Sequence, residues 1–214
     1  MTLSRRFRDV RSRIRELRTH LLPSTFSPTG DYSDRQMDRA RGFRLLVHAE
    51  FESYLEDVSR DTVTEAIRRW KGEGISSRSL ISFLASYHSS WSVSDTISNE
   101  EIIQIAKSRK NIKESVEKII DLAQTQFIQR IQNNHGIIED NFYGLIVPTG
   151  VDISKLDQTW IASLSSFGAS RGKVAHQSKM VVGAINPEDE LKTVNDLIKG
   201  IEALDKCILL VRKK

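Results

Sequence analysis

The chain has 214 residues, of which 39% are hydrophobic and 28% charged, with four prolines and one cysteine. One cysteine excludes an internal disulfide and a thiolate zinc site, so the chain is neither a secreted disulfide scaffold nor a zinc finger. Charged residues interrupt every long apolar run, and no apolar core follows the basic N-terminus. We therefore expect a cytoplasmic protein with no membrane span and no secretory signal.

The net charge of the chain is +4, and residues 1–20 alone supply +5, because they hold seven arginines against two acidic residues. Apolar residues recur there at steps of three and four from Leu3 to Leu21, which predicts a helix with one apolar face. Clustered arginine favours a polyanionic partner such as RNA, because guanidinium pairs bidentately with phosphate. A solvated helix face explains the same pattern equally well.

Helical periodicity continues through the rest of the chain, with few prolines and long stretches free of glycine. We predict a long second helix from 31–34 to about Trp70, ended by Gly72 and Gly74, and a last helix that starts at Asn186-Pro187. The core face of the second helix is expected to hold Phe43 or Leu45, Val47 or Ala49, Phe51 and Leu55. Helices are also expected near 79–87, 99–107, 111–133, 137–147 and 160–174. The prediction is a single all-α domain over 1–214, a bundle with a basic N-terminal helix (1–22) and a helical insertion (76–150).

Cofactor and metal motifs do not account for the chain's function. No glycine-rich segment has the spacing of a phosphate-binding loop. His48 and Glu52 share a helix face at an i, i+4 spacing, but no second ligand pair accompanies them, so we interpret the pair as a helix contact. We expect no cofactor and no metal.

Arginine followed by histidine at a short spacing is the remaining candidate signature. It precedes four of the five histidines, and 19 arginines make such matches frequent by chance. We interpret His20 and His135 as residues that complement a helix dipole. Arg171 and His176 differ, because they follow an apolar helix face and lie among small residues that permit a close approach.

The segment around this pair, Phe167-Gly168-Ala169-Ser170-Arg171-Gly172-Lys173-Val174-Ala175-His176, resembles the signature of the HEPN superfamily, closest to its RiboL-PSP-HEPN branch. The second helix supports the resemblance, because Ala49 and Glu52 match an A-x-x-E segment of that branch. The last predicted helix corresponds to the closing helix of the family.

The resemblance implies an α-helical bundle that forms a homodimer and acts as a metal-independent endoribonuclease, a toxin or defence protein. Histidine can serve as base or acid near neutral pH, and arginine can hold a phosphate and its developing charge. We therefore predict catalytic roles for Arg171 and His176, with Glu52 orienting one of them. An i, i+5 pair is rotated by about 140° on a helix, so the two side chains do not share one face, but a cleft between two facing copies can collect both. The predicted RNA contacts are Lys173, Arg5, Arg6, Arg8, Arg11 and Arg15.

Two other functions stay open. Many members of the superfamily carry a polar residue where this chain has Gly172, which is compatible with a non-catalytic module that binds nucleic acid or protein. A structural helical adaptor, whose Arg-His segment packs an interface, is the third hypothesis. An antitoxin or regulatory partner is compatible with the first.

Overall fold

The computed structural model describes residues 2–87, 98–108, 112–176 and 185–213. Every regular element in these ranges is helical, which confirms the predicted all-α class. The helices are α1 (Arg5–Leu21), α2 (Asp34–Glu73), α3 (Arg78–Tyr87), α4 (Asn99–Ser108), α5 (Ile112–Gln132), α6 (Glu139–Ile146), α7 (Gln158–His176) and α8 (Pro187–Lys213). Short 3₁₀ turns at Val147–Thr149 and Ile153–Lys155 connect α6 to α7.

Local capping signals define the ends of the two helices that frame the bundle. At the start of α2, Ser33 and Gln36 exchange hydrogen bonds in a capping box, and Gly74 closes the helix in the left-handed conformation at φ 70°. At the start of α8, the side chain of Asn186 accepts the N–H of Glu188 at 2.9 Å. The predicted stop at Gly74 and the predicted start at Asn186-Pro187 are therefore correct, whereas Gly72 lies within the last turn of α2.

The long helix α2 is the centre of the bundle, and α1, α3, α5, α6, α7 and α8 all contact it. Its buried face includes Phe43, Val47, Phe51 and Leu55, as the periodicity predicts. The expectation that Ala49 can share this face is wrong, because Ala49 is exposed. Residues two positions apart on a helix point about 200° apart, so Val47 and Ala49 cannot face the same core.

The basic helix α1 is an integral part of the bundle and packs along α2 and α8. Its apolar face is buried through Phe7, Val10, Ile14 and Leu17. A polar network secures its N-terminus: the backbone N–H of Ser4 donates to the buried carboxylate of Asp205 at 2.8 Å. The hydroxyl of Tyr54 donates to the same carboxylate at 2.9 Å, which joins α1, α2 and α8.

The two ends of the predicted insertion lie together. The hydroxyl of Ser79 donates to the carbonyl of Thr149 at 2.7 Å, and a Cβ at Gly150 would lie 3.2 Å from the backbone of Arg78. A segment that leaves and returns at one point fits an insertion, although the division into bundle and insertion stays a prediction. Among the described residues, no helix is long and apolar enough to cross a bilayer.

Candidate active site

A buried histidine and a carboxylate meet at the middle of α2. The ring of His48 is 1% exposed and stacks on Phe167 of α7, with ring centroids 6.4 Å apart. Its Nδ1 lies 3.6 Å from Oε2 of Glu52. Burial, together with the nearby positive charge of Arg171, lowers the pKa of His48 to about 4. The imidazole is therefore neutral at physiological pH.

Neither ring nitrogen of His48 has a hydrogen-bond partner within the described ranges. Gly136 lies directly against the ring, and a Cβ there would be 3.8 Å from Nε2. The φ of Gly136 is +130°, a conformation that L side chains rarely adopt. The loop after α5 therefore needs glycine at the point where it covers the histidine.

Glu52 lies between this loop and α7. Its Oε1 is 3.4 Å from Nδ2 of Asn134, which donates to Glu56 at 2.8 Å. Burial raises the pKa of Glu52, while a backbone hydrogen bond from Gly136 and the positive charge of Arg171 act in the opposite direction. The carboxylate is thus partly desolvated and faces a cation.

That cation, Arg171, is exposed on the last turns of α7. It forms no ion pair with any residue in the described part of the chain, yet its charge acts on both His48 and Glu52. A close helix–loop contact gives α7 this position, because a Cβ at Gly168 would come within 2.9 Å of Ile137. An exposed guanidinium within electrostatic reach of a half-buried carboxylate is suited to holding a phosphate.

An ion pair between α2 and α8 holds the helices around Arg171 in place. The guanidinium of Arg44 binds both carboxylate oxygens of Glu190, with one N–O distance of 2.8 Å, and donates to Ser170 at 3.2 Å. Glu190 is buried in the first turn of α8. The same guanidinium lies 5.6 Å from the ring of Phe167. These contacts hold the end of α7 against the start of α8.

The structure brings two of the three predicted catalytic residues, Glu52 and Arg171, within electrostatic reach of each other. In the described part of the molecule they share no direct hydrogen bond, so an orienting role for Glu52 stays a prediction. His176 is the last residue of α7, and its side chain and that of Lys173 lie outside the described residues.

Sequence reasoning missed four residues of this site, and three of them lie in a recognisable local pattern. His48 stands at an i, i+4 spacing from Glu52, which is typical of an ordinary helix contact. Asn134 and Gly136 belong to the segment Asn133-Asn134-His135-Gly136, which is typical of a helix end. Arg44 acts through a contact distant in the chain and has no local signature.

The predicted RNA-contacting arginines of α1 divide into two kinds. Arg5 and Arg8 are exposed, as is Arg15, and Arg11 is half-buried over the ring of Phe7 at 5.8 Å. Arg6 instead pairs with Asp57 of α2 at 2.8 Å and donates to Ser53. Its charge is therefore already engaged inside the bundle.

Residues able to hold a metal ion do not cluster in the described part of the chain, where no group of three His, Cys, Asp or Glu side chains converges. The site instead combines one exposed arginine with a histidine–glutamate pair within its electrostatic reach. Such an arrangement is suited to an anionic group.

Comparison with family models gives a match to RiboL-PSP-HEPN over residues 8–210. Comparison with curated proteins and with solved structures gives no match. The matched range contains the whole arginine–histidine segment and the second helix with Glu52. The chain therefore belongs to the RiboL-PSP-HEPN family, and the HEPN domains include both ribonucleases and non-catalytic members.

Proposed function

We propose that the protein is a metal-independent endoribonuclease whose site is built around Arg171 and His176. The observation that carries the proposal is the exposed guanidinium of Arg171, unpaired within the described residues and within electrostatic reach of His48 and Glu52. An ion pair that only stabilised the fold would bring the carboxylate into direct contact with the arginine. Here the arginine stays accessible to a phosphodiester.

The proposed reaction is an intramolecular phosphoryl transfer. A base removes the proton of the RNA 2′-OH, the oxygen attacks the adjacent phosphorus, the P–O5′ bond breaks, and an acid protonates the departing 5′-oxygen. His176 supplies proton transfer, and Arg171 stabilises the charge on the pentacoordinate phosphate. The products are a 2′,3′-cyclic phosphate and a 5′-hydroxyl.

Glu52 serves this site as a positioning residue. Its desolvated carboxylate attracts the guanidinium of Arg171 and limits the directions that the arginine can take. The neutral, buried ring of His48 packs next to Glu52 and limits its movement, since Nδ1 of His48 lies 3.6 Å from the carboxylate. Glu52 therefore affects the placement of Arg171 and touches no substrate itself.

A homodimer completes the proposal. Arg171 and His176 are five residues apart on α7, which separates their directions by about 140°. Two copies related by a two-fold axis would present two arginines and two histidines to one cleft. An antitoxin or other regulatory partner would act by covering that cleft.

The test is cleavage of single-stranded RNA by purified protein in the presence of EDTA. We expect cleavage by wild type, and loss of at least about a hundredfold in rate for His176→Ala and Arg171→Ala. His20→Ala is the matched control, because His20 is also at a helix end and is exposed. Equal activity in His176→Ala and wild type, or a protein that stays monomeric at high concentration, would contradict the proposal.

A non-catalytic RNA-binding module is the second candidate, and one observation favours it. Several arginines of α1 are exposed and remote in sequence from Arg171, and their guanidinium groups are suited to binding phosphate groups of RNA. RNA binding by wild type with no cleavage under any condition would support this module over the enzyme. A structural adaptor would show neither binding nor cleavage.

A further inference from the structure

The two flanks of the apolar face of α1 are in different electrostatic environments. On the flank toward α2, Arg6 pairs with Asp57 at 2.8 Å, and Arg13 lies 3.7 Å from Glu50. Carboxylates of the bundle therefore compensate the arginines on this side. These ion pairs stabilise the packing of α1 on α2, and they leave little uncompensated positive charge for a binding partner on this flank.

The opposite flank faces α8 and carries Arg11, Arg15 and Arg18. These three residues follow one another at steps of four and three, so they form a row about 10 Å long on one side of the helix. With Leu191, Asn195 and Ile198 of α8, they line a groove of about 260 Å³. Throughout the described ranges, none of the three pairs with a carboxylate.

Three like charges in one row repel each other and cost free energy. The same helix finds acidic partners on its other flank, where Arg6 and Arg13 lie close to Asp57 and Glu50. The wall from α8 contributes the exposed amide of Asn195 and two aliphatic side chains. A concave, cationic groove with a neutral far wall is complementary to a chain of phosphates.

The groove also points toward the candidate active site. Of the α8 residues that line the groove, Leu191 is the nearest to the start of the helix. It is adjacent in sequence to Glu190, whose carboxylate binds Arg44. Arg44 donates to Ser170, the residue before Arg171. One turn of α8 therefore belongs to both the groove and the ion pair that fixes the end of α7.

We propose that the groove between α1 and α8, lined by Arg11, Arg15, Arg18 and Asn195, binds the phosphodiester backbone of RNA. The proposal rests on the proposed function for the identity of the ligand. It adds Arg18 and Asn195 to the expected contacts and removes Arg6. The three arginines of the row are thus expected to contact successive phosphates of one strand.

The test measures binding of a fluorescent single-stranded RNA oligonucleotide, by anisotropy at several salt concentrations, in full-length protein carrying His176→Ala. Arg15→Gln/Arg18→Gln should weaken binding at least about tenfold and reduce the salt slope by about 1.4, as expected for two lost phosphate contacts. The matched control is Arg35→Gln/Arg39→Gln, which removes two exposed arginines from the first turns of α2.

A subtler variant is Asn195→Asp, which keeps the size of the side chain and adds a negative charge to the groove. It should also weaken RNA binding, and its helical circular dichroism should equal that of wild type. Unchanged affinity in both groove variants, or an equal loss in the Arg35/Arg39 control, would overturn the proposal. A groove variant that no longer binds phosphatidylserine vesicles but still binds RNA would also overturn the proposal, since the groove would then bind a membrane surface.

The outcome is separable from that of the proposed function. RNA that binds through the groove but is never cleaved by wild type contradicts the enzyme and leaves the groove intact. Cleavage by wild type with an unchanged KM in Arg15→Gln/Arg18→Gln contradicts the groove and leaves the enzyme intact.

Discussion

Replacing His48 by leucine tests the buried histidine at the centre of the candidate site. In the unfolded chain the imidazole has a pKa near 6.5, and burial with the charge of Arg171 lowers it to about 4 in the folded protein. Between these values the unfolded state binds more protons, so protonation favours unfolding. Stability assigned to His48 is therefore complete near neutral pH and is lost as the pH falls toward 4.

The magnitude follows from the two pKa values of His48. The linkage relation gives a loss of about 3 kcal/mol between pH 7 and pH 4 in wild type. The variant His48→Leu has no imidazole to protonate, so its loss of stability on acidification should be smaller than that of wild type by the same amount. The carboxylates titrate in both proteins. Their contribution therefore cancels when the loss of stability on acidification is compared between wild type and His48→Leu.

The assay is urea denaturation followed by far-ultraviolet circular dichroism, at neutral pH and near pH 4, for wild type and His48→Leu. His20→Gln is the control, because that histidine is exposed and should keep the full acid sensitivity of wild type. If His48→Leu loses as much stability on acidification as wild type, then His48 is not a buried neutral histidine and the reasoning fails.

Three further substitutions test the packing and charge around the site. Glu52→Gln should raise stability at neutral pH, because burial raises the pKa of Glu52 and disfavours its ionised form. The same variant should cleave RNA more slowly, and urea midpoints and cleavage rates measured together check both effects. Tyr54→Phe removes a donor from the buried carboxylate of Asp205 and should cost about 1–3 kcal/mol, measured by urea denaturation. Gly200→Ala would place a Cβ 2.1 Å from the indole of Trp160, so the ring must move; we expect a loss of about 1–3 kcal/mol and a shifted tryptophan emission, and an unshifted emission would contradict this contact.

Much of the fold could be predicted from the sequence, because its signals are local. The serine and glutamine that cap α2, the glycine that ends it, and the Asn186-Pro187 start of α8 act within one helical turn. Apolar spacing identified the buried faces of α1 and α2. The error at Ala49 arose where two neighbouring registers of α2 were both left open, and only packing against the other helices selects one.

The candidate site was predictable only where its residues lie in a recognisable segment. Glu52 and Arg171 were found through the resemblance to the HEPN signature. The contribution of Asn134 depends on the path of the loop after α5, and the Arg44–Glu190 pair joins residues 146 positions apart. No local pattern encodes such contacts.

The charge of α1 illustrates the same limit. From sequence, Arg6 and Arg15 are equivalent members of one cluster. In the fold, Arg6 faces Asp57 and is neutralised, whereas Arg15 faces a groove without a carboxylate partner in the described structure. What distinguishes them is the helix packed against each side.

The central claim is metal-independent cleavage of RNA at Arg171 and His176, and the chemistry of the product ends tests it most directly. RNA incubated with wild type in EDTA should yield fragments with a 2′,3′-cyclic phosphate and a 5′-hydroxyl, and the same fragments should be absent with His176→Ala. Fragments that carry a 5′-phosphate, or identical fragments from both proteins, would contradict the account.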